Sequence, residues 1–252
     1  MIKSTFKVFS YMIILLIIGF LLKPMPSFEH SSPRELPWAL PDINQAYTNY
    51  QYLDNGQILI EITHVPLINI TPKMLAWFYQ NLPISTVQID QTTLPWYHIF
   101  HPTEHGVINV VEPATSNLPG MGVGALIQRK EWFGDFNSQG AGRIINFSEQ
   151  GMTIKPELAG LHFGQIEHSF IQTNKGSQYT VKILIGSDLP VLGPIINLVI
   201  RYKMFPEPMI KQWLRHQVEE VGSLNSFLPQ LYGAKHNEHH YRLQLSTQAE
   251  LN

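Results

Sequence analysis

Apolar and polar positions alternate in some stretches of the chain and recur every third or fourth residue in others, and these two periods separate strands from helices. In Gln57 to Thr63, QILIEIT, the residues Ile58, Ile60 and Ile62 share one face, which predicts a half-buried strand. Thr71 then stands as an N-cap before Pro72, which takes the favoured first helical position. Met74, Leu75, Trp77 and Phe78 give the next turns an apolar side, predicting a helix to about Asn81. From Thr86 to about Ser187 the runs are short: INVVE, GALIQ, GRIINF, GMTIK, SFIQT and QYTVKILIG, divided by Gly, Pro and Asn, predict antiparallel strands. Ile195 to Tyr202 reads as a strand or as a helix start. Glu207 to about Tyr232 carries Ile210, Trp213, Leu214, Val221, Leu224 and Leu228 on one arc. It predicts a long helix that Gly222 weakens and that Pro229 ends or kinks. The tail from His236 is polar.

Val8 to Leu22 has another character: it holds no charge, only Ser10 and Gly19 interrupt it, and Lys3 and Lys7 precede it. Such a run makes a signal anchor or the apolar core of a signal peptide. No small-x-small cleavage site follows, which favours the anchor. The basic start places the rest of the chain on the translocated side, periplasmic or extracellular, or secreted if the segment is cleaved. Five prolines between residues 24 and 45 mark a linker. The expected organisation is therefore an anchor or signal over 1–24, a linker over 25–46, a folded domain over 47–235 and a tail over 236–252. Strand, helix, many strands and one long terminal helix is an α+β order. It is the layout of the helix-grip (START-like) fold, in which a curved antiparallel sheet closes over a long C-terminal helix and leaves a ligand cavity between them.

Composition narrows the chemistry. Charged residues are 14% of 252 and hydrophobic ones 44%, which excludes a disordered chain. The formal charge is -2 and no basic run exists to neutralise phosphates, so nucleic acid is not an expected partner. With no cysteine, disulfides and thiolate metal sites are excluded, and any metal must sit on imidazole and carboxylate. There are 11 histidines.

Two clusters can carry such a site. In WLRHQVEEVG, His216 and Glu220 are one helical turn apart, and Glu220 falls inside the arc of Trp213, Leu224 and Phe227. A carboxylate on an apolar face needs a partner or a cation, although an i,i+4 pair is also common on surfaces. In WYHIFHPTEH, His98, His101 and His105 lie within eight residues. They read as ligands gathered at a strand end and its turn, or as a polar turn rich in histidine. Glu131, in IQRKEWFG, is by itself an ordinary glutamate.

Taken together, these strings resemble the zinc hydrolases typified by 2,4-diacetylphloroglucinol hydrolase, which cut the carbon–carbon bond between an acyl group and a phenolic ring. The shared pieces are Met74 and Trp77; Tyr97, His101, Pro102 and His105; Glu131 and Gly134; His168 followed by Gly176; and His216, Glu220 and Gly222. They run in the family's order over about residues 47 to 232. The resemblance implies a helix-grip domain with zinc, or else iron(II), held by His105, Glu131, His216 and Glu220. It also implies substrate contacts at Tyr97 and His101, and proton transfer assisted by His168. The expected activity is hydrolysis of a carbon–carbon bond in a hydrophobic acyl-phenol or 1,3-diketone-like substrate, and the family's assembly adds a homodimer to the expected partners. The competing expectation is a non-enzymatic carrier of lipid or another hydrophobic ligand, tethered to the membrane.

Overall fold

A computed structural model describes Gly19, Pro24, Met25 and residues 27–158, 161–234 and 240–243. The elements, in chain order, are β1 (Tyr47–Tyr52), β2 (Ile58–Thr63), β3 (Leu67–Ile68), α1 (Pro72–Asn81), β4 (Thr86–Ile89), β5 (Thr92–Pro95), α2 (Trp96–Phe100), β6 (His105–Glu112) and β7 (Leu126–Phe133). They continue with β8 (Phe136–Ser148), β9 (Gly151–Leu158), β10 (Leu161–His162), β11 (Gly164–Thr173), β12 (Gly176–Ile185), α3 (Gly193–Val199), α4 (Glu207–Gly233) and β13 (His240–Leu243). One antiparallel sheet runs β1-β2-β12-β11-β9-β8-β7-β6, with β10 on β9 and β3 on β12. The helix α4 touches β3 and β7, towards opposite ends of that order, so the sheet wraps around it. This is the helix-grip layout.

Strand alternation sets which residues face the helix. Ile60, Ile183, Ile166, Ile154 and Ile144 are register partners across five neighbouring strands and form one lateral inward row. Its two ends are closed: Ile60 and Ile144 are 0% exposed and Ile183 is 2% exposed. Its centre is not, because Ile154 and Ile166 are only half-buried. On the same face, Gly142 stands between Ile127 and Pro156, and Ile154 packs over it: a Cβ there would lie 2.6 Å from Ile154 Cγ2. Gly140, the partner of Arg129, is exposed, and a Cβ on it would meet no atom within 4 Å. The inward face is therefore open around Gly140, Ile154 and Ile166, a hollow on the β8–β9–β11 floor.

Several expectations change. Ile195 to Tyr202 is helical throughout, α3 continuing into a π-helical turn, Ile200–Met204. Pro229 lies inside α4 without ending it, since Leu228 and Leu231 on either side are fully buried and hold the helix in place. Gly222 is a contact glycine: a Cβ there would sit 2.5 Å from Pro41 Cγ. Part of the tail is structured, with β13 pairing in parallel with β4.

The segment read as a linker lies along the domain. His30 stacks on Trp132 with ring centroids 4.6 Å apart, Trp38 packs on Phe227, and Asp42 caps a short 3-10 helix, Ile43–Gln45. The expected membrane-anchored, translocated localisation is corrected. Among the described residues no helix is long and apolar enough to cross a membrane. The longest, α4, carries Glu207, Lys211, Arg215, Glu219 and Glu220, a charge load that a bilayer interior opposes. The run Val8 to Leu22, on which that expectation stood, lies outside the described residues except for Gly19.

Candidate metal centre

Pro102 starts the site by stopping α2. A residue before proline is driven to extended backbone, and His101 accordingly leaves the helix at φ -141°, ψ 106°. Its Nδ1 accepts the backbone N–H of Glu104 at 3.1 Å and that of Thr103 at 3.4 Å, which tightens the turn. The chain then enters β6 at His105, directly opposite Glu131 of β7. A register shift follows between His105 and Val107, so Gly106 is the extra residue of a bulge, and a Cβ on it would lie 2.9 Å from Lys130 O. Pairing thus joins two residues that are 26 apart in sequence. His216 and Glu220 come from α4, one turn apart on its buried side.

Four side chains meet at one point. His105 Nε2 is 3.2 Å from His216 Nε2, 3.1 Å from Glu220 Oε2 and 3.8 Å from Glu131 Oε2, and His216 Nε2 is 3.6 Å from Glu220 Oε2. All four residues are buried. The tautomers follow from the partners. His105 Nδ1 donates to the Tyr97 carbonyl at 2.6 Å, and His216 Nδ1 donates to Glu104 Oε2 at 2.9 Å. Both Nε2 atoms therefore point lone pairs at each other.

Each carboxylate is fixed by a second group. Glu131 Oε1 accepts from Arg129 Nε, and its Oε2 accepts the Tyr97 hydroxyl at 2.8 Å. Glu220 Oε1 accepts the Gln217 amide, leaving Oε2 for the centre. Behind the histidines, Glu104 accepts from Arg215 and from Gly134 N at 2.7 Å, and Arg215 also bonds Glu219.

Electrostatics follow the same division. Burial alone would raise the Glu131 carboxyl, but Arg129, by charge and hydrogen bond, together with His216 and His105 outweighs it and leaves the group at about 2. Glu220 has no such cation against it, so burial and then Glu131 hold it well above the ordinary value. Burial pulls His105 down to about 4 and His216 well below its usual value, with His101 adding to the latter. Burial, then Glu131, raises the Tyr97 phenol, which stays protonated at neutral pH.

These donors fit a divalent cation. In a tetrahedral zinc site with bonds of about 2.0–2.1 Å, ligand atoms stand about 3.3 Å apart, and the measured separations lie on either side of that. Two imidazole lone pairs facing each other repel unless a cation lies between them. With neutral histidines, and Glu220 deprotonated as an ion binds, Glu104, Glu131, Glu219 and Glu220 exceed Arg129 and Arg215 by two charges, which a dication balances. Histidines tied to a carboxylate or a carbonyl, and carboxylates tied to further donors, are the supporting shell that metal ligands commonly have.

The structure thus brings His105, Glu131, His216 and Glu220 together. It sets His101 behind them: stacked on His216 at 4.4 Å between centroids, His101 directs Nε2 to Glu219 at 3.0 Å. Tyr97 stacks on His105 at 3.7 Å and gives its hydroxyl to Glu131. His168 stands elsewhere, on the inward face of β11 in the row of Ile62, Val181 and Met152. Its Nδ1 meets the Tyr179 hydroxyl at 2.8 Å, and that hydroxyl meets Tyr79 OH at 2.6 Å. It also borders a surface concavity of about 120 Å³ with Met152 and Glu167.

Sequence reasoning missed Glu104, Arg129, Arg215, Gln217 and Glu219. Arg215 and Glu219 carried a usable signal, an i,i+4 ion pair on the ligand helix. Glu104 and Arg129 carried none, being charged residues of a turn and a strand.

No protein-family model matches the chain, and no curated protein does. Among solved structures it is similar to the crystal structure of Ara h 8.0201, at 12% identity, over 73% of this chain and 98% of that one, with a TM-score of 0.41. It is also similar to the KanY protein (ms6282) in solution, at 11% identity over 76% and 99%, TM-score 0.44. A third is a START superfamily protein from Mycobacterium smegmatis, at 12% over 69% and 97%, TM-score 0.41. The fold described above rests on its own topology, and the resemblance to the diacetylphloroglucinol hydrolases rests on the quoted motifs.

Proposed function

We propose that the protein is a divalent-metal-dependent hydrolase that cuts an acyl carbon–carbon bond in a hydrophobic phenolic or 1,3-diketone-like substrate. The observation behind this reading is the meeting of two imidazole lone pairs at 3.2 Å between two buried carboxylates. His105, Glu131, His216 and Glu220 would hold zinc, or else iron(II). When bound, such a cation supplies Lewis acidity: it polarises a carbonyl and makes water a nucleophile near neutral pH.

The chain's own residues do the rest. Arg129 keeps Glu131 ionised, and Gln217 aims Glu220. The hollow over Gly140, walled by Ile154 and Ile166, would take the apolar body of the substrate. Acyl cleavage from a ring carbon needs that carbon protonated as it leaves. His168 lies on the hollow's side of the sheet; burial holds it down to about 3, so as a neutral ring it would relay that proton, passing one from Nε2 as Nδ1 takes one from the Tyr179 hydroxyl.

A second reading, a ligand carrier without catalysis, draws on the half-buried Ile154 and Ile166, since a hollow serves a carrier equally well. Elemental analysis of protein purified without added metal separates the two. The hydrolase reading expects about one zinc or iron per chain and acyl release from an acylphloroglucinol, with Glu220→Gln losing both. Metal-free protein that binds the compound without cleaving it would establish the carrier.

A further inference from the structure

Arg129 projects from β7 on the same face as Glu131, and its Nε–H is taken by Glu131 Oε1. The other edge of the guanidinium carries two amino groups, and among the described residues neither meets an acceptor. Free N–H donors on an inward-facing cation are costly unless water or a ligand meets them. The side chain starts from the concave face yet is 32% exposed, and its amino groups are not sealed in the core. Its strand partner is Gly140, beside which a Cβ would find open space. The guanidinium is also near enough to His168 for its charge to lower that imidazole.

We infer that the hollow takes an apolar ligand bearing one anionic oxygen group, and that the free edge of Arg129 binds that group. The planar pair of amino groups suits a two-point contact with a carboxylate, enolate or sulfonate, and the glycine floor leaves room for a flat ring. Glu131 already fixes the guanidinium, so little side-chain freedom is lost on binding. This rests on the hollow being the ligand site of the proposed function, but it does not require the metal.

The test uses the full chain stripped of metal by a chelator, with two fluorescent probes: anilinonaphthalenesulfonate, and phenylnaphthylamine, which has the same rings without the sulfonate. Wild type should bind both. Arg129→Gln should weaken the sulfonate about tenfold or more and leave the neutral probe within about twofold, which also shows that the variant is folded. Arg129→Lys should recover part of the loss, and Gly140→Leu, which fills the hollow, should expel both probes. Sulfonate affinity untouched by Arg129→Gln, or the two probes weakening together, would overturn the inference. Failure of the hydrolase reading would appear separately, as protein without stoichiometric metal that still distinguishes the probes.

Discussion

Tyr97 has one ring and three attachments: the ring lies flat on His105, the carbonyl takes the His105 Nδ1 proton, and the hydroxyl holds Glu131. It supports two ligands at once. Removing only the hydroxyl, by Tyr97→Phe, should lower zinc affinity by about 10–100-fold, as the loss of such supporting contacts commonly does; a competition titration with a chelating dye measures it. His64 sets a pH limit away from the centre. It is buried against Tyr179, its Nε2 has no partner among the described residues, and burial holds it down to about 3 from 6.5. Between those values the unfolded chain binds a proton that the folded one does not, so stability falls as pH drops through the window. One unit below 6.5 the loss is about 1.4 kcal/mol from His64 alone. Urea midpoints should therefore fall from pH 7 towards pH 5, and His64→Leu should flatten that slope. At this scale the sequence disclosed His216 and Glu220, because helical spacing fixes their shared face. It hid Arg129 and Glu104, because a charged residue on an alternating strand or in a turn reads as solvent-facing.

Among the elements, the strands and both long helices were readable, since their apolar periods are strong. The short ones were not. α2 replaces the expected strand end because Trp96, Tyr97, Ile99 and Phe100 bury nearly all round, a pattern that five residues cannot distinguish from a strand. β13 was invisible because its pairing partner, β4, lies some 150 residues earlier in the chain. The isoleucine row carries a prediction of its own. Ile60→Ala removes a fully buried side chain and should cost about 2–5 kcal/mol, whereas Ile154→Ala trims a wall that already faces the hollow and should cost less than about 1 kcal/mol. Chemical denaturation of the two variants tests the contrast; equal losses would mean that the space beside Ile154 is packed.

On the scale of the molecule, the sequence predicted the wrap of sheet over helix and left out what covers it. Residues 27–46 carry no periodic pattern, yet Arg34 donates to the Pro102 carbonyl at 2.9 Å and the His105 carbonyl at 3.3 Å, tying this segment to the turn that carries His105. Pro33, Pro37 and Pro41 suit such a course, being stiff, extended and unable to join a helix. The donors they help enclose come from two places: the β6–β7 pair at one end of the sheet, and α4, more than 80 residues later. An ion bound there would act as a clasp between sheet edge and helix, and with all four ligands buried its release needs the β6–β7 and α4 ligands to part. Exchange would then wait for α4 to lift. Stripping by excess chelator should proceed at a rate set by that opening and should not accelerate as more chelator is added. The protein would be slow to load and slow to forget: whichever ion was trapped as the helix closed would stay, even where a tighter-binding one is present in solution.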